Sequence, residues 1–363
     1  MDTVLNWQQA LWQTIMRDGG IRGHALLLKG REGIGKFAFA RLLAKSLLCK
    51  KPAVNRMACG QCSSCNWFDQ QTHPNFSVLL PETFLDEHFK TVSDDGAHQL
   101  PADNKAKKKP SQHIGINQIR ELDDFVYLSG HQSGHKIVLI YPAETMNNAA
   151  SNALLKKLEE PPELVLFILV SHQPQRLLPT VRSRCQQIAM PVPDSEAASQ
   201  WLKQQTVDDQ PLGQSSQKTV PSQQVESEKL LTLLALASYA PFKALQFAEN
   251  YDQHQQFINH LSKPESFDPL AVADMLKNQD LSMTVGWMQK WCYDVLSFST
   301  TGSVRYHPHC KTNIQAISSR VNPQIMLIYQ QFLNKHQSLA QHTLQARLFL
   351  EEMLIRYRAL LMA

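Results

Sequence analysis

Between an apolar run, Ala25-Leu26-Leu27-Leu28, and a stretch of helical apolar spacing, Phe37 to Leu48, the chain reads Gly30-Arg31-Glu32-Gly33-Ile34-Gly35-Lys36. Phe39, Leu42, Leu43, Leu47 and Leu48 fall on one face of the second stretch. Strand, glycine-rich turn and helix in that order is the context in which such a motif has a physical meaning. Backbone N–H groups of the turn and the positive helix N-terminus cradle a polyphosphate, and the lysine reaches its outer oxygens. Gly30, Gly33, Gly35 and Lys36 are therefore the candidate nucleotide-binding residues. They also commit this part of the chain to a parallel α/β sheet.

The chemistry around that loop is incomplete. A hydrolysing site of this architecture follows its lysine with Ser or Thr, which holds Mg²⁺, and ends its third strand in an acid for the metal and a glutamate for the attacking water. Here the lysine is followed by Phe37, and the strand Lys136 to Ile140 ends in Tyr141-Pro142-Ala143-Glu144. Glu144 stands two residues late and reads as a surface or first-turn glutamate. Hydrolysis by this chain is not expected, and residual binding of ATP or ADP is left open.

The 363 residues exceed one ordinary core, and 43% apolar content supplies enough material for several. A net charge of +4 is too mild and too dispersed to argue nucleic-acid binding by itself. No apolar run approaches the roughly 20 residues of a membrane span, which points to the cytoplasm. Apolar strands Phe76 to Leu80, Lys136 to Tyr141, Leu164 to Val170 and Gln186 to Met190 alternate with helical stripes at Ile116 to Val126 and Thr145 to Glu159. This defines an α/β domain over 1–190, interrupted by a polar, solvated insertion at 81–112. That insertion carries Lys105-Ala106-Lys107-Lys108-Lys109. A small helical domain follows over 191–250, with a Gln/Ser/Pro-rich insertion at 206–227 and a helix pair broken at Ala240-Pro241. From 251 to 363 only helical periodicity remains, and Trp287, Trp291, Phe332 and Leu348 read as core.

Cys59-x-x-Cys62-x-x-Cys65 offers three thiolates in one tight loop, and Cys49 can close a tetrahedron. In a long chain without a secretory leader such a cluster suggests metal before disulfide. Structural Zn²⁺ is the leading reading. An iron–sulfur cluster is the alternative, and His73 is set aside as a packing residue.

Gly30 to Lys36, the cysteine cluster, Leu158-Glu159-Glu160-Pro161-Pro162 and Ser183-Arg184-Cys185 together resemble the bacterial clamp-loader branch of the AAA+ ATPases. The resemblance implies an AAA+ α/β domain with an embedded zinc module, a helical lid over 191–250 and an all-helical collar over 251–363. It implies a place in a hetero-oligomeric ring with gamma/tau motor and delta subunits, which loads the sliding clamp on primed DNA within a DNA-directed DNA polymerase holoenzyme, away from any membrane. Because both the metal and base positions are degenerate, it implies a non-hydrolysing stator. Arg184 then maps onto an arginine finger acting in trans, against the bland reading of a local salt bridge. Ser171 falls at the first sensor position. The competing readings are an active motor subunit and a zinc-containing DNA-binding protein that uses the α/β domain as scaffold.

Overall fold

The computed structural model describes residues 3–17, 20–84, 110–127, 135–208, 229–340 and 345–362. They form two compact units, Met1–Pro193 and Asp194–Ala363. Most of the two insertions predicted from composition, 81–112 and 206–227, lies outside the described residues.

In the first unit α1 (Gln9–Met16) precedes β1 (Ala25–Lys29), α2 (Lys36–Leu48), α3 (Ser63–Asp69) and β2 (Phe76–Leu79). Then come α4 (Ile116–Tyr127), β3 (Lys136–Ile140), α5 (Asn148–Glu159), β4 (Val165–Ser171), α6 (Pro179–Ser183) and β5 (Gln186–Ala189). The strands build one sheet of order β2-β3-β4-β1-β5, and every pairing is parallel. β1 lies between β4 and β5, with Leu26 opposite Ile168 on one side and Gln186 on the other. This places the loop that leaves β1 at the carboxyl edge of the sheet, where α/β folds assemble their sites.

Central parallel strands are covered on both faces, so their side chains are apolar in both directions. Ala25, Leu27, Val138, Ile140, Phe167 and Leu169 pack with Ile119 and Leu122 of α4 and Leu154 and Leu158 of α5. The alternate residues Leu26, Leu28, Ile168 and Val170 are equally buried, on the face crossed by α2. The helix predicted from Thr145 instead begins at Asn148. Asn147 caps it by accepting the Ala150 N–H at 2.8 Å, and Ala143–Thr145 form a separate 3-10 turn.

The second unit is helical throughout its described residues. It contains α7 (Ser195–Asp208), α8 (Lys229–Leu236), α9 (Pro241–Glu249), α10 (Tyr251–Leu261), α11 (Pro269–Leu276), α12 (Leu281–Thr301), α13 (Lys311–Ser318), α14 (Pro323–Leu339) and α15 (Ala346–Met362). α7 continues six residues past the Leu202 end predicted for it. The break at Ala240-Pro241 is present, and α8 and α9 diverge by 114°. Among the described residues no single helix is long and apolar enough to cross a membrane. Trp287 and Trp291 are core, and Trp291 Nε1 donates to Tyr357 Oη at 2.7 Å. Leu348 is not core, being 57% exposed, because α15 turns the face of Phe349, Leu350, Met353, Leu354, Tyr357 and Leu360 inward.

Several buried side chains in this unit are polar, and three of them, Asp294, His307 and His254, form one network. Asp294 on α12 accepts the backbone N–H groups of Arg305, Tyr306 and His307, and Nδ1 of His307 donates to it at 2.8 Å. His307 Nε2 faces His254 Nε2 at 3.3 Å, so the neutral pair needs the proton on His254. Nδ1 of His254 is then buried without a hydrogen bond. Burial holds His254 well below the usual histidine range, with His307, Lys290 and His309 adding to the effect. His307 is also lowered by burial, despite Asp294. Unfolded, both rings titrate near about 6.5, so below that pH the unfolded chain binds protons the folded chain refuses. Stability present above that pH is expected to fall as the pH drops through it, by up to about 1.4 kcal/mol per pH unit for each ring. Urea midpoints for the second unit at pH 7.5 and 5.5 measure this, and His254→Gln is expected to narrow the difference.

Candidate functional site

The loop after β1 is built as its sequence requires. Gly33 and Gly35 have φ of 78° and 84°, a region that a side chain would strain, and Gly35 caps the N-terminus of α2. Ile34 is buried, and its carbonyl accepts from Trp7 Nε1 at 3.2 Å and Gln8 Nε2 at 3.0 Å. The N-terminal turn thus clamps the loop. Nothing in the local sequence signalled that role for Trp7 or Gln8.

Lys36 is 2% exposed. Its ammonium donates to Gly30 O at 2.8 Å and Arg31 O at 2.5 Å, and sits 2.7 Å from His172 Nδ1. An ammonium can only donate, so Nδ1 accepts and the His172 proton is on Nε2. Burial pushes the Lys36 amine down to about 8, against the opposing influence of Glu144 and Glu32. Three donors have met three acceptors within the chain. Beside it, Phe37 stacks on Tyr141 with ring centroids 4.5 Å apart, and Tyr141 meets His172 edge-on at 5.4 Å. An apolar ring stack therefore occupies the place where Mg²⁺ coordination would need a hydroxyl and a carboxylate. The residues do not fit a magnesium–nucleotide complex.

Of the two places its position allowed, Glu144 takes the first turn, that of the 3-10 turn Ala143–Thr145, and it is half-buried rather than on the surface. Its Oε1 accepts the backbone N–H groups of His172 at 2.9 Å and Gln173 at 3.2 Å, tying the 3-10 turn to the end of β4. Ser171 is the last residue of β4, wholly buried, and its hydroxyl has no hydrogen-bond partner.

Arg184 lies just past α6 in a turn held on both sides. Ser183 Oγ donates to Thr180 O at 2.9 Å, Arg184 N to Val181 O at 3.3 Å, and the buried Cys185 thiol to Val181 O at 3.2 Å. The backbone is fixed while the Arg184 side chain is 53% exposed, its Nη2 3.3 Å from Oε1 of Glu159, itself 45% exposed. The two sequence motifs meet in this pair. An ion pair so exposed contributes only about 0–1 kcal/mol, so the guanidinium is readily released.

The cysteines converge as their spacing predicted. The four Sγ atoms of Cys49, Cys59, Cys62 and Cys65 lie within 4.8 Å of one another, with Cys49–Cys62 at 3.9 Å and Cys59–Cys65 at 4.0 Å. A tetrahedron with metal–sulfur bonds of about 2.3 Å has edges of about 3.8 Å. Cys49 follows α2, Cys62 precedes α3 and Cys65 sits in its first turn, so two helices are joined at this point. His73 is occupied elsewhere, with Nε2 2.8 Å from Ser64 Oγ and Nδ1 accepting the Asn75 N–H at 3.0 Å. The donor set suits a closed structural site with no position for substrate.

The family described as DNA polymerase III, delta subunit, matches residues 7–194, and that described as DNA polymerase III, delta subunit, C terminal, matches residues 248–359. The chain is 34% identical to DNA polymerase III subunit delta' of Pseudomonas aeruginosa over 307 residues, covering 83% of this chain and 80% of that protein. It is 31% identical to subunit delta' of Escherichia coli K12 over 276 residues, 75% of this chain and 70% of that one. Its likeness to subunit gamma/tau of Mycobacterium tuberculosis H37Rv, 33% identical over 172 residues, covers 47% of this chain and 25% of the other. The chain belongs to the delta' family of DNA polymerase III.

Proposed function

We propose that this subunit turns over no ATP of its own and lends Arg184 to the nucleotide bound by an adjacent gamma/tau motor subunit, while that ring, with delta, loads the sliding clamp on primed DNA in the cytoplasm. The observation that carries this reading is the contrast between its two cations. Lys36 is buried and satisfied by its own loop and His172, whereas Arg184 stands on a pinned turn, half exposed and loosely paired. At a subunit boundary a guanidinium stabilises the charge that develops on the transferred phosphoryl group. The helices after residue 190 then serve as a lid (191–250) and a ring-forming collar (251–363).

Cys49, Cys59, Cys62 and Cys65 hold a structural zinc in this reading. When bound, the ion cross-links the end of α2 to the start of α3 and takes no part in phosphoryl transfer.

The isolated chain is expected to release no phosphate above the blank with Mg²⁺ and ATP, and Phe37→Thr alone to restore none, because Tyr141 and Pro142 still supply no carboxylate. In the assembled loader, Lys36→Met is expected to leave ATP turnover unchanged. Mg²⁺-dependent hydrolysis by the pure chain at a motor-like rate would overturn the reading.

A further inference from the structure

Glu159, the carboxylate that meets Arg184, stands where its own helix gives it no support. It is the last residue of α5, at the end where the helix dipole favours cations and disfavours anions. Lys156 and Lys157 in the same turn follow that preference, and Glu159 does not. A residue that breaks a local rule without a local gain points to a functional demand. Its contact with Arg184 says what the demand is.

Both members of the pair are mounted on fixed backbone. At the end of α5, Leu158 is buried and its carbonyl accepts from His24 Nε2 at 2.9 Å. Lys157 pairs with Asp123 of α4, and Glu160 N donates to Lys156 O at 3.1 Å before Pro161-Pro162 stop the helix. The turn that carries Arg184 is pinned by Thr180, Val181 and Cys185. Only the two side chains are left to move, and a long arginine side chain has many rotamers to lose. Glu159 Oε1 meets Nη2 of the guanidinium at 3.3 Å, and among the described residues it is the side chain's hydrogen-bond partner. The fork carries five N–H groups, so a contact at one terminal nitrogen leaves the others for phosphate oxygens.

We propose that Glu159 is a positioning residue, which holds one terminal nitrogen of Arg184 so that the rest of the fork is presented to the nucleotide of the neighbouring subunit. The inference rests on the finger reading of Arg184 given above. With the two side chains 53% and 45% exposed, the pair biases the choice of rotamer by no more than about fivefold. That is enough to set how often the finger is in place and too little to trap it. Glu159 reaches the nucleotide only through Arg184, whose contribution is to the transition state, so its influence falls on the rate at saturating ATP rather than on the affinity for ATP.

The test is single-turnover ATP hydrolysis by the assembled loader, read at the motor site beside this chain. Glu159→Ala is expected to slow that site about fivefold at saturating ATP, with the ATP concentration for half-maximal rate unchanged. Glu159→Gln, which keeps an acceptor for Nη2, is expected to retain most of the rate. In an Arg184→Ala background, Glu159→Ala is expected to slow hydrolysis no further, because the group it positions is gone. The melting midpoint of the Glu159→Ala chain is expected to stay level or rise, since a charge opposed to the helix dipole has been removed. Should Arg184→Ala slow hydrolysis while Glu159→Ala leaves it unchanged or speeds it, the positioning role is overturned and the finger stands. A lowered melting midpoint with an untouched rate, or equal slowing by Glu159→Ala with and without Arg184, overturns it as well. Should Arg184→Ala itself leave the rate unchanged, the finger reading fails and the role of Glu159 goes with it.

Discussion

Replacing Arg184 with alanine is expected to leave this chain folded and to slow hydrolysis at the adjoining motor site by about 10³-fold or more, the range set by arginine fingers in general. The fold survives because the side chain is 53% exposed and gives up only its pairing with Glu159, worth at most about 1 kcal/mol. The turn itself is held by Ser183, Val181 and the buried Cys185, none of which is touched. Arg184→Lys keeps a positive charge but loses the planar fork, so an intermediate rate is expected. Where a ring holds more than one motor site, steady-state turnover dilutes the effect. Single-turnover hydrolysis resolves it as the loss of one fast-hydrolysing site per loader. The same rate and amplitude with Arg184→Ala would remove the finger and leave Arg184 as the partner of Glu159 and nothing more.

The sheet, the phosphate-loop geometry and the cysteine cluster were legible because each is written in local order. Leu26 to Leu28 and Ile137 to Ile140 are apolar without alternation, as strands covered on both faces must be. Gly33 and Gly35 stand where the backbone takes positive φ, and the cysteine spacings bring four sulfurs together across two helix ends. What satisfies Lys36 was not legible, since His172 is 136 residues away and meets it only because β1 and β4 are neighbours in the sheet. The anchoring roles of Glu144, Trp7 and Gln8 escaped for the same reason. The network of Asp294, His307 and His254 also joins separate helices and loops, so no spacing announces it. Leu348 misled for a different reason: a period of 3.6 marks an apolar residue as belonging to a helix, not to the face that the fold covers.

Purified under non-chelating conditions, the chain is expected to carry one zinc ion, and Cys65→Ser to lose it. Cys65 is the sharper choice because it is wholly buried in the first turn of α3, where a serine hydroxyl offers the metal a poorer ligand without adding bulk. Structural zinc contributes about 10–16 kcal/mol of apparent binding energy in zinc-finger peptides, where the metal is nearly the whole fold. Less of it appears as stability here, since the module has other ties. Ser64 Oγ donates to Leu48 O at 2.6 Å, Ala58 N donates to Ser46 Oγ at 3.0 Å, and Lys45 pairs with Asp69 at 2.7 Å. Even a loss of about 3 kcal/mol moves the melting midpoint of a unit this size by roughly 6–12 °C. The sheet is expected to keep its far-ultraviolet signal below that midpoint, because α2 packs on β1, β3 and β4 independently of the sulfurs. Stoichiometric zinc released by a thiol-modifying mercurial, with a matching fall in melting temperature, would support the assignment. A coloured protein containing iron and acid-labile sulfide would replace it with a cluster, and a metal-free protein melting no lower than the zinc-loaded one would leave the four cysteines without a structural metal.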